Sequence, residues 1–496
     1  MWLFALVTQT ASARWLVGHY VEPNAAPYVG RMLAATGDLE LTDWSRLKGG
    51  TRASDPPLRA FELPGEPLWV AAGTRTGMSL GINVWDYWNV PVAALLIVSI
   101  AAVGLALGGP MVALIAGFVA ALDPVTLLHA SNRDDAVLGS ALLWAVFAII
   151  ALRWRGWGYV PLFIAAGAAA ITRMEAVLLI VPLLALGPIR RAAAIAVAGV
   201  VMALGVWGAR NQLVLGHVVI GSTHDGITLW ESNGPFAQRS LSLGQVDIVS
   251  MNKTVMAPIF AETQDLDEVG ADAYFKRQAL RYMTSHPLGV MRTSAEKVAV
   301  SIASIHPDLP LTAPRNLAAM LDNALLLILA GIGLARFARS PMAITAQYAR
   351  AHGARAGGRR PDDSDISKHI TARDSDISEQ SDEREARSPM AIIAQYSDIS
   401  KQSDEHEARS PMAIIAQYSD ISKQSDEREA RGVSWVFAGM CLVTIALLAL
   451  GPAGMRYWLT LRGALWILAA VSISGHLTPR TLSSSAPALP SASPER

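Results

Sequence analysis

Long apolar segments separated by short polar ones run through most of the chain. Nine of them approach the about 17–25 residues that a helix needs to cross a bilayer: Val90–Leu107, Pro110–Leu122, Ala136–Leu152, Trp157–Ile171, Met174–Leu186, Ala192–Trp207, Leu317–Leu334, Val433–Leu450 and Leu461–Ile473. A tenth, Met1–Val17, is interrupted by Thr8, Gln9 and Arg14. A buried soluble helix explains one such segment but not nine. The pattern therefore predicts a mainly α-helical, polytopic membrane protein of about ten transmembrane helices.

The composition agrees with a membrane protein. Asp, Glu, Lys and Arg make up 17% of the chain, against about 25% in an average soluble protein. The 41 basic and 41 acidic residues cancel, so the chain offers no basic face for phosphates, and nucleic acid is excluded as a partner. The single Cys441 excludes a disulfide framework and a cysteine-based metal site.

Arginine pairs in three short loops indicate the orientation of the chain. By counting crossings, all three loops fall on one side, which the positive-inside rule assigns to the cytoplasm. They are Arg153 with Arg155, Arg190 with Arg191, and Arg336 with Arg339. A membrane core at 1–338 then has two long extracytoplasmic segments, 18–89 and 208–316. Within the second, Asp267–Ala303 is predicted to be helical and broken at Pro287.

Residues 339–431 form a charged segment with an internal repeat. Arg-Ser-Pro-Met-Ala-Ile begins at Arg339, Arg387 and Arg409, and the last two copies are 22 residues apart. One interpretation is a solenoid. The favoured one is a Ser-rich cytoplasmic insert with too little apolar surface to fold. Residues 432–478 then hold the last membrane helices, and 479–496 form a disordered tail.

Ionisable residues near the membrane surface collect on the predicted outer side, where each is a functional candidate by default. Arginine suits a phosphate, and a carboxylate suits general-base work on a hydroxyl or amine. Each residue alone is more readily explained as an interfacial anchor or a structural ion pair, and Arg173 with Glu175 as a pair at helix ends. The candidates are Glu22, Asp123, His129, Arg133, Asp134, Asp135, Arg173, Glu175, Arg210, Asn211, His224, Asp225 and Arg456.

Four stretches on this side share their order with a known class of enzymes. They are His19-Tyr-Val-Glu-Pro-Asn, Ala168-Ala-Ala-Ile-Thr-Arg-Met-Glu-Ala, Trp207-Gly-Ala-Arg-Asn and Met455-Arg-Tyr. Outside 339–431, the chain resembles the GT-C class of polytopic glycosyltransferases, the group that contains protein O-mannosyltransferases and lipid A aminoarabinose transferases.

The resemblance implies an inverting transfer of a sugar from a polyprenyl-phosphate donor to a lipid, glycan or protein acceptor, on the outer side of the cytoplasmic membrane. Glu22 matches the second acid of an Asp-Glu pair and is the expected base, while Val21 stands in the place of the first acid. Asp134 or Asp135 matches an acid after the third helix. Arg456, followed by Tyr457, matches an arginine on the phosphate side.

The other polar candidates, Arg173, Glu175, Arg210, Asn211, His224 and Asp225, are expected to bind substrate. No cofactor is implied, and the chemistry is compatible with a divalent metal. Two alternatives stay open: a transporter or lipid-handling protein, and a non-catalytic member of the glycosyltransferase class.

Overall fold

The computed structural model describes residues 1–16, 26–40, 58–81, 87–131, 135–152, 156–180, 190–235, 237, 262–263, 265–303, 314–339 and 455–477. All of them belong to one unit of the chain, Met1–Arg339 with Ser434–Arg496. Except for Arg339, the predicted insert at 339–431 lies outside the described residues, as do the predicted helix Val433–Leu450 and the tail 479–496.

Helices make up almost all of the described residues, and no β-strand occurs among them. In chain order they are α1 (Trp2–Leu16), α2 (Ala26–Thr36), α3 (Gly65–Leu80), α4 (Val90–Leu122), α5 (Pro124–Ser131), α6 (Asp135–Ala151), a short 3₁₀ turn (Gly156–Gly158), α7 (Tyr159–Thr172), α8 (Glu175–Ile180), α9 (Arg190–Leu215), α10 (Asp225–Asn233), α11 (Glu268–Ser285), α12 (Pro287–Ala303), α13 (Pro314–Arg339) and α14 (Met455–Leu477). The mainly helical fold is thus confirmed for this part of the chain.

The long helix α4 is a hairpin of two helices. Gly109 has a φ of 79° and a ψ of −172°, a conformation open to glycine, and Pro110 follows it. A methyl group placed on Gly117 would lie 3.1 Å from the Cβ of Ala101, although a straight helix would hold these residues about 24 Å apart. The halves therefore run antiparallel, as the separate apolar segments Val90–Leu107 and Pro110–Leu122 predicted.

Two described helices are long and apolar enough to cross a membrane by length and composition, α4 and α9. Helix α9 exposes large apolar side chains such as Val206, at 63%, and Leu213, while it buries small residues such as Ala196 and Gly199. Soluble proteins show the opposite preference, and close contact through small residues is typical of helices in lipid. The described residues therefore fit a membrane-associated protein, and the count of ten crossings stays a prediction.

Helices α7 and α9 run parallel and in close contact. Gly199 lies against the carbonyl of Phe163, and one turn further along both helices Gly167 would bring a methyl group 3.2 Å from the Cβ of Ala203. Parallel neighbours need a returning segment between them, which is where α8 lies.

The last two described helices, α13 and α14, are also parallel. Gly333 lies against the backbone of Leu468, and nearer the start of both helices Asn323 accepts a hydrogen bond from Arg462. A returning segment between them is required here too. The sequence predicts one at Val433–Leu450, which lies outside the described residues.

The two long segments that the sequence predicts to be extracytoplasmic, 18–89 (the first outer segment) and 208–316 (the second outer segment), each contain helices with a small apolar core among their described residues. In the first, Val29 and Phe61 are buried together, and α2 packs against α3. In the second, Ile227 and Trp230 of α10 pack against Phe275 of α11. The predicted break of the second segment's long helix is confirmed, because α11 ends at Ser285 and α12 begins at Pro287.

Candidate functional site

The predicted catalytic acids are placed only in part. Glu22 and Asp134 lie outside the described residues, and Asp135 is the first residue of α6. Arg456 and Tyr457 belong to the first turn of α14. The roles that the resemblance implies for Glu22 as the base and for Arg456 on the phosphate side therefore stay predictions.

The turn between α7 and α8 holds Arg173 and Glu175 as an ion pair. Their Nη2 and Oε1 atoms are 2.7 Å apart, and the Arg173 side chain is 9% exposed. Its stem covers Gly139 in the second turn of α6, where a methyl group would lie 2.5 Å from Cδ. The end of α7 and the start of α6, which includes Asp135, therefore lie side by side.

The same turn also contacts both outer segments. Gly65, at the start of α3, lies against Thr172, with no room for a side chain between them. A methyl group on Gly221 would lie 3.6 Å from Cε of Met174. Three stretches distant in sequence, near residues 65, 173 and 221, therefore meet at one end of the bundle.

Arg210 and Asn211 use their side chains to hold backbone groups. Arg210 Nη1 donates to the carbonyl of Arg59 at 2.6 Å, and Asn211 Nδ2 donates to the carbonyl of Val219 at 2.8 Å. One turn earlier, the indole of Trp207 donates to the carbonyl of Gly221 at 2.9 Å. These bonds anchor both outer segments to the end of α9, so they favour a structural role. Substrate binding by Arg210 and Asn211 stays a prediction.

His224 and Asp225 lie at the start of α10, beside the first outer segment. The His224 ring stacks on Phe61 with 4.3 Å between ring centroids, and its Nδ1 is 3.6 Å from a carboxylate oxygen of Glu62. Asp225 accepts hydrogen bonds from the hydroxyl of Ser222 at 2.6 Å and from its amide at 3.2 Å. Burial raises the pKa of the Asp225 carboxyl, a shift that often accompanies functional sites.

Glu268 joins the two outer segments and was not predicted. Its carboxylate accepts from the amides of Arg59 and Ala60, both at 2.8 Å, and from the hydroxyl of Thr223 at 2.5 Å. Nothing in the local sequence distinguishes it, because it is one of several acids in the first turns of a polar helix. Glu268 therefore holds the backbone of the first outer segment in place at Arg59 and Ala60.

A buried charged cluster lies between α4, α13 and α14, and Arg462 is its centre. The Arg462 guanidinium pairs with Asp123, donates to Asn323, and lies 2.6 Å from Asp322. The Arg462 and Asp123 side chains are 1% and 2% exposed. The other Asp123 oxygen accepts from the Thr126 amide at 2.7 Å and so caps α5.

The sequence candidates did not include Arg462, Asp322 or Asn323, although polar residues inside an apolar segment are themselves an indication of a buried site. Each lies inside a predicted apolar segment, either Leu317–Leu334 or Leu461–Ile473, and a charge at that depth is expensive unless it is paired. Among the described residues, no three His, Cys, Asp or Glu side chains gather closely enough to hold a metal ion.

No protein-family model, curated protein or solved structure matches the chain.

Proposed function

We propose that the chain is a multi-pass glycosyltransferase of the cytoplasmic membrane, of the GT-C type with about ten crossings. It would transfer a sugar from a polyprenyl-phosphate donor to an acceptor on the outer side. The observation that carries the proposal is the placement of charged residues at one end of the helices. The start of α6, with Asp135, lies beside the Arg173–Glu175 turn, and that turn contacts both outer segments.

The reaction assigned to this end needs one base and one site for an anion. An acceptor hydroxyl or amine attacks the anomeric carbon, and its proton passes to a carboxylate. The bond between that carbon and the phosphate oxygen breaks, and the lipid phosphate leaves with the electron pair. Glu22 is the proposed base, with Asp134 and Asp135 as further acids. Arg456, beside Tyr457, would stabilise the charge that develops on the phosphate.

In a site on the outer side, the two parts of the donor would lie in different environments. The isoprenoid chain stays in lipid against exposed apolar side chains such as Val206, and the sugar reaches the outer segments. His224 and Asp225 in the second segment are proposed to contact the sugar or the acceptor.

The experiment is sugar transfer by the purified full chain in nanodiscs, with a labelled polyprenyl-phosphate sugar as donor. E22Q is expected to lose activity by about 100-fold or more, since positioned general bases contribute roughly that much. E296Q is the matched control, because Glu296 lies in the exposed Arg292 ion pair. Full activity of E22Q would remove Glu22 from the mechanism, and a wild-type chain without transfer would refute the proposal.

A transporter is the second candidate, and the buried cluster around Arg462 favours it. Paired charges inside a helix bundle often mark a solute or ion pathway. Tracer flux into proteoliposomes separates the two proposals. Flux without sugar transfer supports the transporter, and transfer without flux supports the glycosyltransferase.

A further inference from the structure

Helix α12 buries polar side chains and exposes apolar ones, which is the reverse of the usual arrangement for a surface helix in water. Thr293, Lys297 and Ser301 form its buried face, with exposed fractions of 5%, 2% and 1%. At 3.6 residues per turn, the exposed Arg292, paired with Glu296, lies at the edge of the opposite face, and the rest of that face is apolar and exposed over three turns. It consists of Leu288, Met291, Ala295 and Ala299.

The buried polar face is satisfied within the protein. The Lys297 ammonium donates to the carbonyl of Ser232 at 3.1 Å and to the side-chain oxygen of Asn233 at 3.2 Å, at the end of α10. Since this polar face is fixed by hydrogen bonds, α12 cannot rotate to bury its apolar face. Leu288 and Met291 stay 79% and 67% exposed, an arrangement that is unfavourable in water and favourable against hydrocarbon.

The neighbours of α12 identify the medium that covers this face. Helix α12 contacts α13 and α14, which the sequence predicts to cross the bilayer. The exposed Arg277 and Arg281 lie on the last turns of α11, just before the helix break. No acidic residue occurs between Ala273 and Ala295. An apolar face next to exposed basic residues is typical of helices that lie on an anionic bilayer.

We propose that α12 is an interfacial helix that rests on the outer surface of the bilayer. Its face from Leu288 to Ala299 lies at the boundary between head groups and acyl chains, and Arg277 and Arg281 contact anionic head groups. This binding surface is independent of the reaction proposed above, and it makes the second outer segment a membrane-bound element.

Single-cysteine labelling of the full chain tests the proposal. In a C441A background, a polarity-sensitive fluorophore is attached at L288C or M291C, with D38C as the control for water and I164C as the control for lipid. Asp38 is exposed in the first outer segment, and Ile164 is 60% exposed on α7. The protein is placed in nanodiscs of phosphatidylcholine and phosphatidylglycerol, and quenching by nitroxide lipid and by aqueous iodide is compared.

Positions 288 and 291 are expected to match position 164, with nitroxide quenching roughly threefold above that at position 38 and protection from iodide. Quenching by iodide to the level of position 38 would overturn the proposal. Protection from both quenchers would also overturn it, because another protein surface would then cover the face. A lack of nitroxide quenching at position 164 would mean that the helix bundle is not embedded in the bilayer, and this result would also overturn the proposal.

The proposed contact between the two arginines and anionic head groups is tested separately. R277Q with R281Q is expected to lower nitroxide quenching at position 288 in discs that contain phosphatidylglycerol and to leave it unchanged in pure phosphatidylcholine. An equal effect in both discs would refute the contact with anionic head groups. Size-exclusion profiles and tryptophan emission, compared with the parent chain, verify that each variant is folded.

Discussion

Replacement of Arg462 by Met is expected to destabilise the helix bundle strongly. Methionine keeps an unbranched apolar side chain in place of the arginine stem, but Asp123 loses its counter-charge in a site where both side chains are at most 2% exposed. Removal of one partner of a buried ion pair costs about 3–5 kcal/mol, because the other charge stays buried. The Asp322 contact adds less than about 1 kcal/mol, since that carboxylate is 36% exposed and solvated.

The matched control is R292M. Arg292 also forms an ion pair with an acid, Glu296, but the two side chains are 70% and 38% exposed. The same substitution there should cost under about 1 kcal/mol. The comparison therefore isolates burial as the cause of the difference. D322N is expected to resemble this control, whereas D123N should lie between the two arginine variants.

The free energy of unfolding is measured by titration of mixed micelles with a denaturing detergent, followed by tryptophan fluorescence. The reasoning is refuted if R462M and R292M agree within about 1 kcal/mol, because a buried pair and an exposed pair would then contribute equally. It is also refuted if D322N destabilises more than D123N. Either result would contradict a buried Arg462–Asp123 pair as the main source of stability in this cluster.

G139A should displace Arg173 and lower the free energy of unfolding by about 1–3 kcal/mol, because the new methyl group would lie 2.5 Å from its Cδ; an unchanged value contradicts the close contact. Burial lowers the pKa of Lys297 to about 7, so the unfolded chain binds more protons above that pH, and stability rises as pH increases from about 7 to 10. K297M should abolish this rise, whereas K276M should preserve it. Deletion of 339–431 should leave sugar transfer intact, because a cytoplasmic insert does not reach an outer site; a folded but inactive variant would contradict this.

The helix boundaries that proline and glycine set were predictable from sequence. Pro110 lacks the amide that a continuous helix needs, and Gly109 before it adopts a positive φ, so two antiparallel helices replace one long helix. Pro287 has the same effect between α11 and α12. These are local rules of the backbone, which operate whatever the tertiary structure is.

The partners of the polar residues were not predictable. Asp123 and Arg462 are separated by 339 positions, and Arg59 and Glu268 by 209. Hydropathy indicates that Arg462 needs a partner in an apolar helix, but several acids near the membrane surface would satisfy that need equally. Only the packing of α14 against α4 selects Asp123.

Not every polar residue that was expected to bind substrate is available to do so, because some of those near the two outer segments hold backbone groups instead. The described residues of these segments include the non-helical stretches 58–64 and 216–224, whose carbonyl and amide groups need partners that a helix does not supply. Those partners are the side chains of Arg210, Asn211 and Glu268. Residues of the same types also bind substrates, so the sequence alone does not separate the two roles. Arg210 is engaged with backbone carbonyls, so Arg456 in the first turn of α14 becomes more important to the proposed reaction than Arg210.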